Sequence, residues 1–189
     1  MSDKRYFLFD CETGGLKKNS HSLLTLYGVV LDSNLDALAS IDLKIKPTGG
    51  IYHVDIEAMK VNKIDLLKHD TVATPTRDAS VQLRDFLFRH TTGGCKLTPA
   101  GHNINLDVRF TTKFCPEFRS LCDRRWLDTA AIGQYLQLTG KVPATNNGSL
   151  AQLCKHYGID SSKNHDAQAD VEMTHLLLKA MVKDGLTKP

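Results

Sequence analysis

With 189 residues, 41% of them hydrophobic and 24% charged, the chain is long enough to bury a substantial core and has the make-up of a soluble globular domain. A net charge of +3 permits a nucleic-acid partner without requiring one. No stretch approaches the ~18 apolar residues of a membrane span, which argues against a membrane protein. The start, MSDKRYF, lacks the apolar run of a signal peptide. The five cysteines (Cys11, Cys95, Cys115, Cys122 and Cys154) follow no CxxC spacing, so reduced thiols in a cytoplasmic protein are expected and a zinc site is not.

Along the chain, Arg5–Asp10 reads as a strand that closes in DCETGG, Asp10 to Gly15. In a strand, residues i and i+2 share a face, so Asp10 and Glu12 would sit side by side. Two like charges so placed are costly unless a cation neutralises them. His21–Leu31 is a second strand, Asp32-Ser33-Asn34 a turn by its side-chain chemistry, and Leu35–Ile45 a third strand, giving an antiparallel meander. Pro47-Thr48-Gly49-Gly50 ends it. Two short helices follow, at Ile56–Met59 and Lys63–His69. Thr76–His90 carries Ala79, Leu83, Phe86, Leu87 and Phe88 near helical spacing.

Lys96–Ala100 is a short fourth strand, and a helix from Ile104 to Phe114 is ended by Pro116. Arg124–Leu127 supplies a fifth strand before a helix over Thr129–Leu138. After a loop at Gly140–Asn147, Ser149 caps a helix over Leu150–Tyr157 that Gly158 stops, and a last helix spans Ala167–Lys183. No repeat or linker interrupts the sequence, so residues 1–189 are expected to form a single domain. Strands first, then strand–helix alternation, predict a mixed sheet flanked by helices.

Acids recur in two further places. GHNINLD puts Asp107 about one turn into a helix, and NHDAQAD puts Asp170 in the opening of the last helix, with His165 on the loop before it. Taken singly, each has an ordinary explanation: the helix dipole favours acids in first turns, and a lone histidine is usually a solvated loop residue.

Together, Asp-x-Glu-Thr-Gly, Gly-His-Asn-x-x-x-Asp and His-x-Ala-x-x-Asp resemble the three motifs of the DnaQ-like 3′–5′ exonucleases, DEDDh subgroup, of the ribonuclease H-like fold. Supporting echoes are Glu57-Ala58-Met59…Val61-Asn62…Ile64, Leu127-Asp128-Thr129 and Ser149-Leu150…Leu153-Cys154…Tyr157-Gly158. Tyrosine four residues before the last aspartate would mark the DEDDy subgroup; here that position is Asp166. Leu106 stands where many relatives carry phenylalanine, a difference of packing.

The resemblance implies an α/β fold with a five-stranded mixed sheet, three antiparallel strands plus two parallel, and Asp10 and Glu12 on the central strand. It implies that Asp10, Glu12, Asp107 and Asp170 hold two divalent ions, Mg²⁺ or Mn²⁺, which suit oxygen ligands and serve both ends of an in-line displacement. His165 becomes the general base. Glu12, Thr13, Gly14, Leu16 and Asn103 become substrate contacts, with Leu16 an apolar wedge against the bases and Glu12 an acceptor for the terminal 3′-hydroxyl. Lys17, Lys18, Arg124 and Arg125 are candidate phosphate contacts, and His102 has a structural role at its turn.

The implied activity is removal of nucleoside monophosphates from 3′ ends of mainly single-stranded DNA or RNA. The alternatives are a proofreading subunit of a replicative polymerase and an inactive nuclease fold serving as a nucleic-acid-binding scaffold. Because 19 residues follow Asp170 and most finish a helix, a free-standing nuclease is the expectation over a polymerase subunit. A polymerase or another nucleic-acid-processing protein remains the partner class. Nothing in the sequence marks the contact to a 2′-hydroxyl, so DNA and RNA stand equal.

Overall fold

The first strand, β1 (Tyr6–Thr13), divides its side chains between two faces of the sheet. The computed structural model describes residues 4–91, 94–161 and 166–186. Phe7, Phe9 and Cys11 lie in one apolar layer, and Leu8 lies in another on the opposite face. β1 pairs antiparallel with β2 (Leu23–Leu31), and β2 pairs antiparallel with β3 (Ala37–Lys46). Phe9 faces Gly28 across the ladder, and a Cβ at Gly28 would stand 2.4 Å from the Phe7 ring, so a side chain there would displace the Phe7–Phe9 stack. The β2–β3 turn is built by Asp32, whose carboxylate accepts from the N–H groups of Asn34 and Asp36, both at 2.8 Å.

Three short strands complete the sheet. β4 (Thr74–Pro75) runs parallel to the end of β3, β5 (Thr98–Gly101) parallel to the start of β1, and β6 (Leu127–Asp128) parallel to β5. The order is β4-β3-β2-β1-β5-β6, so among the described residues the sheet has six strands where five are expected. The additional strand is a two-residue ladder on an edge, where proline is tolerated because one side of the strand needs no donor. The mixed character and the antiparallel trio are as expected.

The helices are α1 (Ile56–Asn62), α2 (Leu66–Val72), α3 (Thr76–His90), α4 (Asn105–Phe114), α5 (Phe118–Leu121), α6 (Thr129–Leu138), α7 (Leu150–His156) and α8 (Ala167–Leu186). On one face of the sheet, Leu83 and Leu87 of α3, Phe110 of α4 and Phe118 of α5 close over Phe7, Phe9, Leu26 and Ile45. Side chains of this kind contribute about 1.5–3 kcal/mol each when fully buried. On the other face, Val171 and Leu178 of α8 pack with Leu8, Val29 and Ala100, while Met173 and Leu177 continue into a layer with Leu136 of α6 and Leu153 of α7. His175 of α8 donates to the Leu35 carbonyl (2.7 Å), tying the helix to the β2–β3 turn.

The bounds of α3 and α6 coincide with those the sequence predicts. Phe88 does not join the core: it is 67% exposed, because the buried stripe Ala79, Leu83, Phe86, Leu87 leaves position 88 on the flank of α3. β1 also runs on through Asp10 and Glu12 to Thr13, past the end expected from its apolar run. Among the described residues, no helix is long and apolar enough to cross a membrane.

Candidate active site

Asp10 and Glu12 lie two residues apart on β1, on the face that α8 covers. α8 begins where the Asp166 carboxylate accepts from Gln168 N–H (2.9 Å), a side-chain cap for the helix N-terminus. Asp170 falls in the first turn, and the packing of Val171 and Leu178 onto the sheet carries it to β1. One carboxylate oxygen from each of Asp10, Glu12 and Asp170 lies within 4.8 Å of the others.

Asp107 reaches the same strand from the other side. β5 pairs with β1 only as far as Leu8, so among the described residues the β1 edge beyond it has no strand neighbour on that side. The Asp107 carboxylate, buried to 6% exposure, accepts from the Cys11 backbone N–H at 3.0 Å. One turn along α4, Thr111 Oγ1 is 3.5 Å from Cys11 Sγ, a second link between helix and strand.

This grouping is electrostatically unfavourable on its own. Burial pushes the Asp10 carboxyl well above the usual carboxylate range, and Asp107, Glu12 and Asp170 raise it further. Glu12 is pushed up to about 7 by burial and by Asp170 and Asp166. Asp107 is also pushed up to about 7 by burial, against the lowering effect of its backbone hydrogen bonds. Among the described residues, no lysine, arginine or histidine forms an ion pair with Asp10, Glu12 or Asp107. Clustered, oxygen-only donors that repel one another fit a hard divalent cation.

The segment after Glu12 is held in a narrow path. Gly14 N–H donates to the Ser22 carbonyl (2.8 Å), and the Gly14 carbonyl accepts from Asp55 N–H (2.6 Å). A Cβ at Gly14 would stand 2.4 Å from the His53 carbonyl oxygen, so the backbone contact requires glycine. Thr13 is buried, and its hydroxyl donates to the Gly15 carbonyl (2.9 Å). Leu16, beyond this turn, is 74% exposed.

Asn103 adopts a positive φ of 53°; its backbone N–H donates to Asp128 (2.8 Å), and the residue is exposed. His102 is held by Thr129 Oγ1 at 2.9 Å, and burial lowers its pKa. His165 lies outside the described residues.

Sequence reasoning gave Asn62 no role beyond an echo of a family motif. It is buried: its amide donates to the Thr13 carbonyl (3.2 Å) and its side-chain oxygen accepts from Ile64 N–H (3.1 Å). A cavity of about 510 Å³ opens beside Glu12, with Thr25, Tyr27, Asn62, Ile64 and Asp166 in its lining.

The exonuclease family model ("RNase_T: Exonuclease") matches residues 7–178. A protein named DNA polymerase III PolC-type from Latilactobacillus sakei is 26% identical over 186 residues, covering 98% of this chain and 12% of its own length. Its namesake from Bacillus subtilis is 24% identical over 190 residues, again covering 12% of its own length. The fold is similar to the zinc-ion-bound form of the E. coli ExoI–ssDNA complex, with a TM-score of 0.81, 17% identity, and coverage of 98% of this chain and 41% of that one. It is also similar to a moderately thermophilic exonuclease I from Methylocaldum szegediense, with a TM-score of 0.74, 18% identity, and coverage of 95% and 40%. The chain thus spans about an eighth of the curated relatives it matches. With the motifs in order along the matched residues and the sheet built as that fold requires, the chain belongs to the exonuclease family, as a DnaQ-like 3′–5′ exonuclease domain of the ribonuclease H-like fold.

Proposed function

We propose that residues 1–189 act as one exonuclease domain that hydrolyses the terminal phosphodiester bond of single-stranded DNA or RNA, releasing nucleoside monophosphates from the 3′ end. The observation that carries this reading is the approach of Asp10, Glu12 and Asp170 within 4.8 Å while Asp107 is bonded to the backbone of the same strand. These four residues would hold a pair of divalent cations, Mg²⁺ or Mn²⁺. When bound, such ions polarise a phosphoryl oxygen and lower the pKa of water, which is the chemistry the hydrolysis needs.

The chain's own residues position the substrate. The cavity beside Glu12 takes the terminal nucleotide, and Glu12 accepts from its 3′-hydroxyl. The exposed Leu16 packs against a base, and Asn62 fixes the Thr13 carbonyl beside the reacting end. Asn103, exposed at a turn braced by Asp128, orients the strand. His165, by the motif it shares with the family, takes the proton of the attacking water; a group titrating near neutrality suits that role. The single-stranded substrate is supported by the similar fold of E. coli ExoI in complex with ssDNA.

A second reading keeps the chemistry and changes the setting: the match of nearly the whole chain to proteins named DNA polymerase III PolC-type favours association with a polymerase. End-labelled DNA and RNA strands, incubated side by side with Mg²⁺, with Mn²⁺ and with EDTA, test the main reading. A ladder shortening from the 3′ end only with metal, abolished by Asp10→Ala, is the expected result. Strands left intact while bound to the protein would favour the inactive scaffold.

A further inference from the structure

At the β5–β6 edge of the sheet, away from the cavity beside Glu12, two adjoining clefts of about 440 and 690 Å³ share Lys96, Asp123, Arg124 and Trp126 in their walls. Arg109 of α4 and Arg119 of α5 extend the first cleft; Lys4 and Arg125 extend the second. Asp123 is the one acid lining either cleft among the described residues, and its carboxylate accepts from Thr98 Oγ1 (3.1 Å). None of these lysines and arginines forms an ion pair among the described residues. Lys96 Nζ instead donates to the Arg119 backbone carbonyl (3.2 Å). Trp126, the only tryptophan of the chain, is 39% exposed between them.

An isolated surface lysine or arginine is usually just solvated. Here lysines and arginines outnumber the single acid in a concave surface that also exposes an aromatic ring, the combination that grips a single strand by its phosphates and stacks its bases. The first cleft reaches the segment that follows β1. Lys18, in the segment that follows Leu16, lines the first cleft, and its carbonyl accepts from Lys113 of α4 (2.7 Å). On α4, Arg109 lies two residues after Asp107, about 200° around the helix, so it faces outward when Asp107 faces β1.

We propose that this surface is a track for the 5′ portion of the strand whose 3′ end lies at the carboxylates, with Lys96, Arg109, Arg119 and Arg124 on phosphates and Trp126 under a base. The direction of the strand rests on the exonuclease reading; the track itself rests on residues outside that site. It makes the preferred ligand a single strand of several nucleotides rather than a di- or trinucleotide.

The full chain in EDTA, where turnover is absent, allows binding to be read alone. All intrinsic tryptophan emission comes from Trp126. An oligo-dT or oligo-U of about fifteen nucleotides is expected to quench that emission, whereas an oligo-dT of about three is not. For labelled fifteen-nucleotide strands, Lys96→Ser combined with Arg119→Ser should reduce the slope of log affinity against log salt by about 1.4, which is 0.7 for each lost phosphate contact. Trp126→Ala should weaken binding of the same strands about tenfold, and Trp126→Phe should restore much of it. Turnover of the three-nucleotide strand with Mg²⁺ should be unchanged in all three variants. Emission unaffected by saturating long strands, or a wild-type affinity and salt slope in the double variant, overturns the track. Quenching and slope as expected, with no turnover of any strand by the wild type, would refute the exonuclease reading and leave the track supported.

Discussion

The carboxylate of Asp107 accepts from the backbone N–H of Cys11 at 3.0 Å, so one proposed metal ligand also serves as the missing edge partner of the strand that carries two others. Charge and hydrogen bond can therefore be separated by substitution. Asp107→Asn keeps an acceptor for Cys11 and removes a buried charge among Asp10, Glu12 and Asp170. Asp107→Ala removes both and leaves a buried N–H without a partner, a loss of about 1–3 kcal/mol. Both variants should lose turnover by orders of magnitude. In EDTA at pH 8 the Asn variant should melt above wild type, with the Ala variant below the Asn variant. Equal melting temperatures for the two variants would show that the bond to Cys11 contributes nothing.

The same crowding sets a pH dependence for the metal-free protein. Glu12 and Asp107 titrate at about 7 in the folded state, and Asp10 is also raised, chiefly because burial disfavours their charged forms. In the unfolded chain such carboxyls titrate near ~4. Between these limits the folded protein binds more protons, so its stability falls as pH rises, by up to about 1.4 kcal/mol per pH unit for each excess proton. This stability is fully present below about pH 4 and is lost as pH rises through about 7. Melting followed in EDTA from pH 5 to 8 should show the decline, and Mg²⁺ or Mn²⁺ at pH 8 should reverse it. A melting temperature at pH 8 that is insensitive to both ions would count against the carboxylates as their ligands.

What the sequence made legible follows from where each signal is stored. α3 and α6 are readable because their periodicity is local, and Asp128 caps α6 with its own side chain, accepting from Ala130 N–H at 2.9 Å. β4 has no period-two pattern to show: Thr74 and Pro75 become a strand only because Ile45 and Lys46 lie alongside. α5 is one turn after Pro116, too short for an apolar stripe to emerge. The carboxylates were legible as motifs in order, but their proximity is a tertiary result of α8 packing on Leu8 and Val29. Asn62 escaped for the same reason, since its partner Thr13 is 49 residues away and nothing local announces the bond.

That bond gives a prediction of its own. Asn62→Ala leaves the Thr13 carbonyl and the Ile64 N–H without their buried partner, which costs about 1–3 kcal/mol for each unsatisfied group. The melting temperature should fall. Because Thr13 follows Glu12 directly, KM for a three-nucleotide strand should also rise while metal affinity holds. Asn62→Asp keeps the acceptor for Ile64 but loses the donor to Thr13, so it should reproduce the KM effect more fully than the rescue of stability. A variant with lowered melting temperature and unchanged KM would confine Asn62 to a structural part.

The proposed base, His165, can be tested without any geometric assumption about its side chain. Removing a general base lowers the rate by about 10²–10⁴ while leaving binding intact. His165→Ala should therefore retain wild-type metal affinity, strand affinity and melting temperature and lose turnover on that scale. The pH–rate profile provides the second readout: the acidic limb in the wild type should report a group near neutrality, and that limb should change shape in the variant. A metal ligand in this position would show weakened metal affinity, with activity recovered at higher metal concentration. A merely structural histidine would lower the melting temperature and leave the rate per folded molecule unchanged. Turnover, metal affinity and melting temperature measured on one preparation distinguish these three cases. Full turnover in a well-folded His165→Ala protein would remove the histidine base and leave the carboxylate cluster to activate the water by another route.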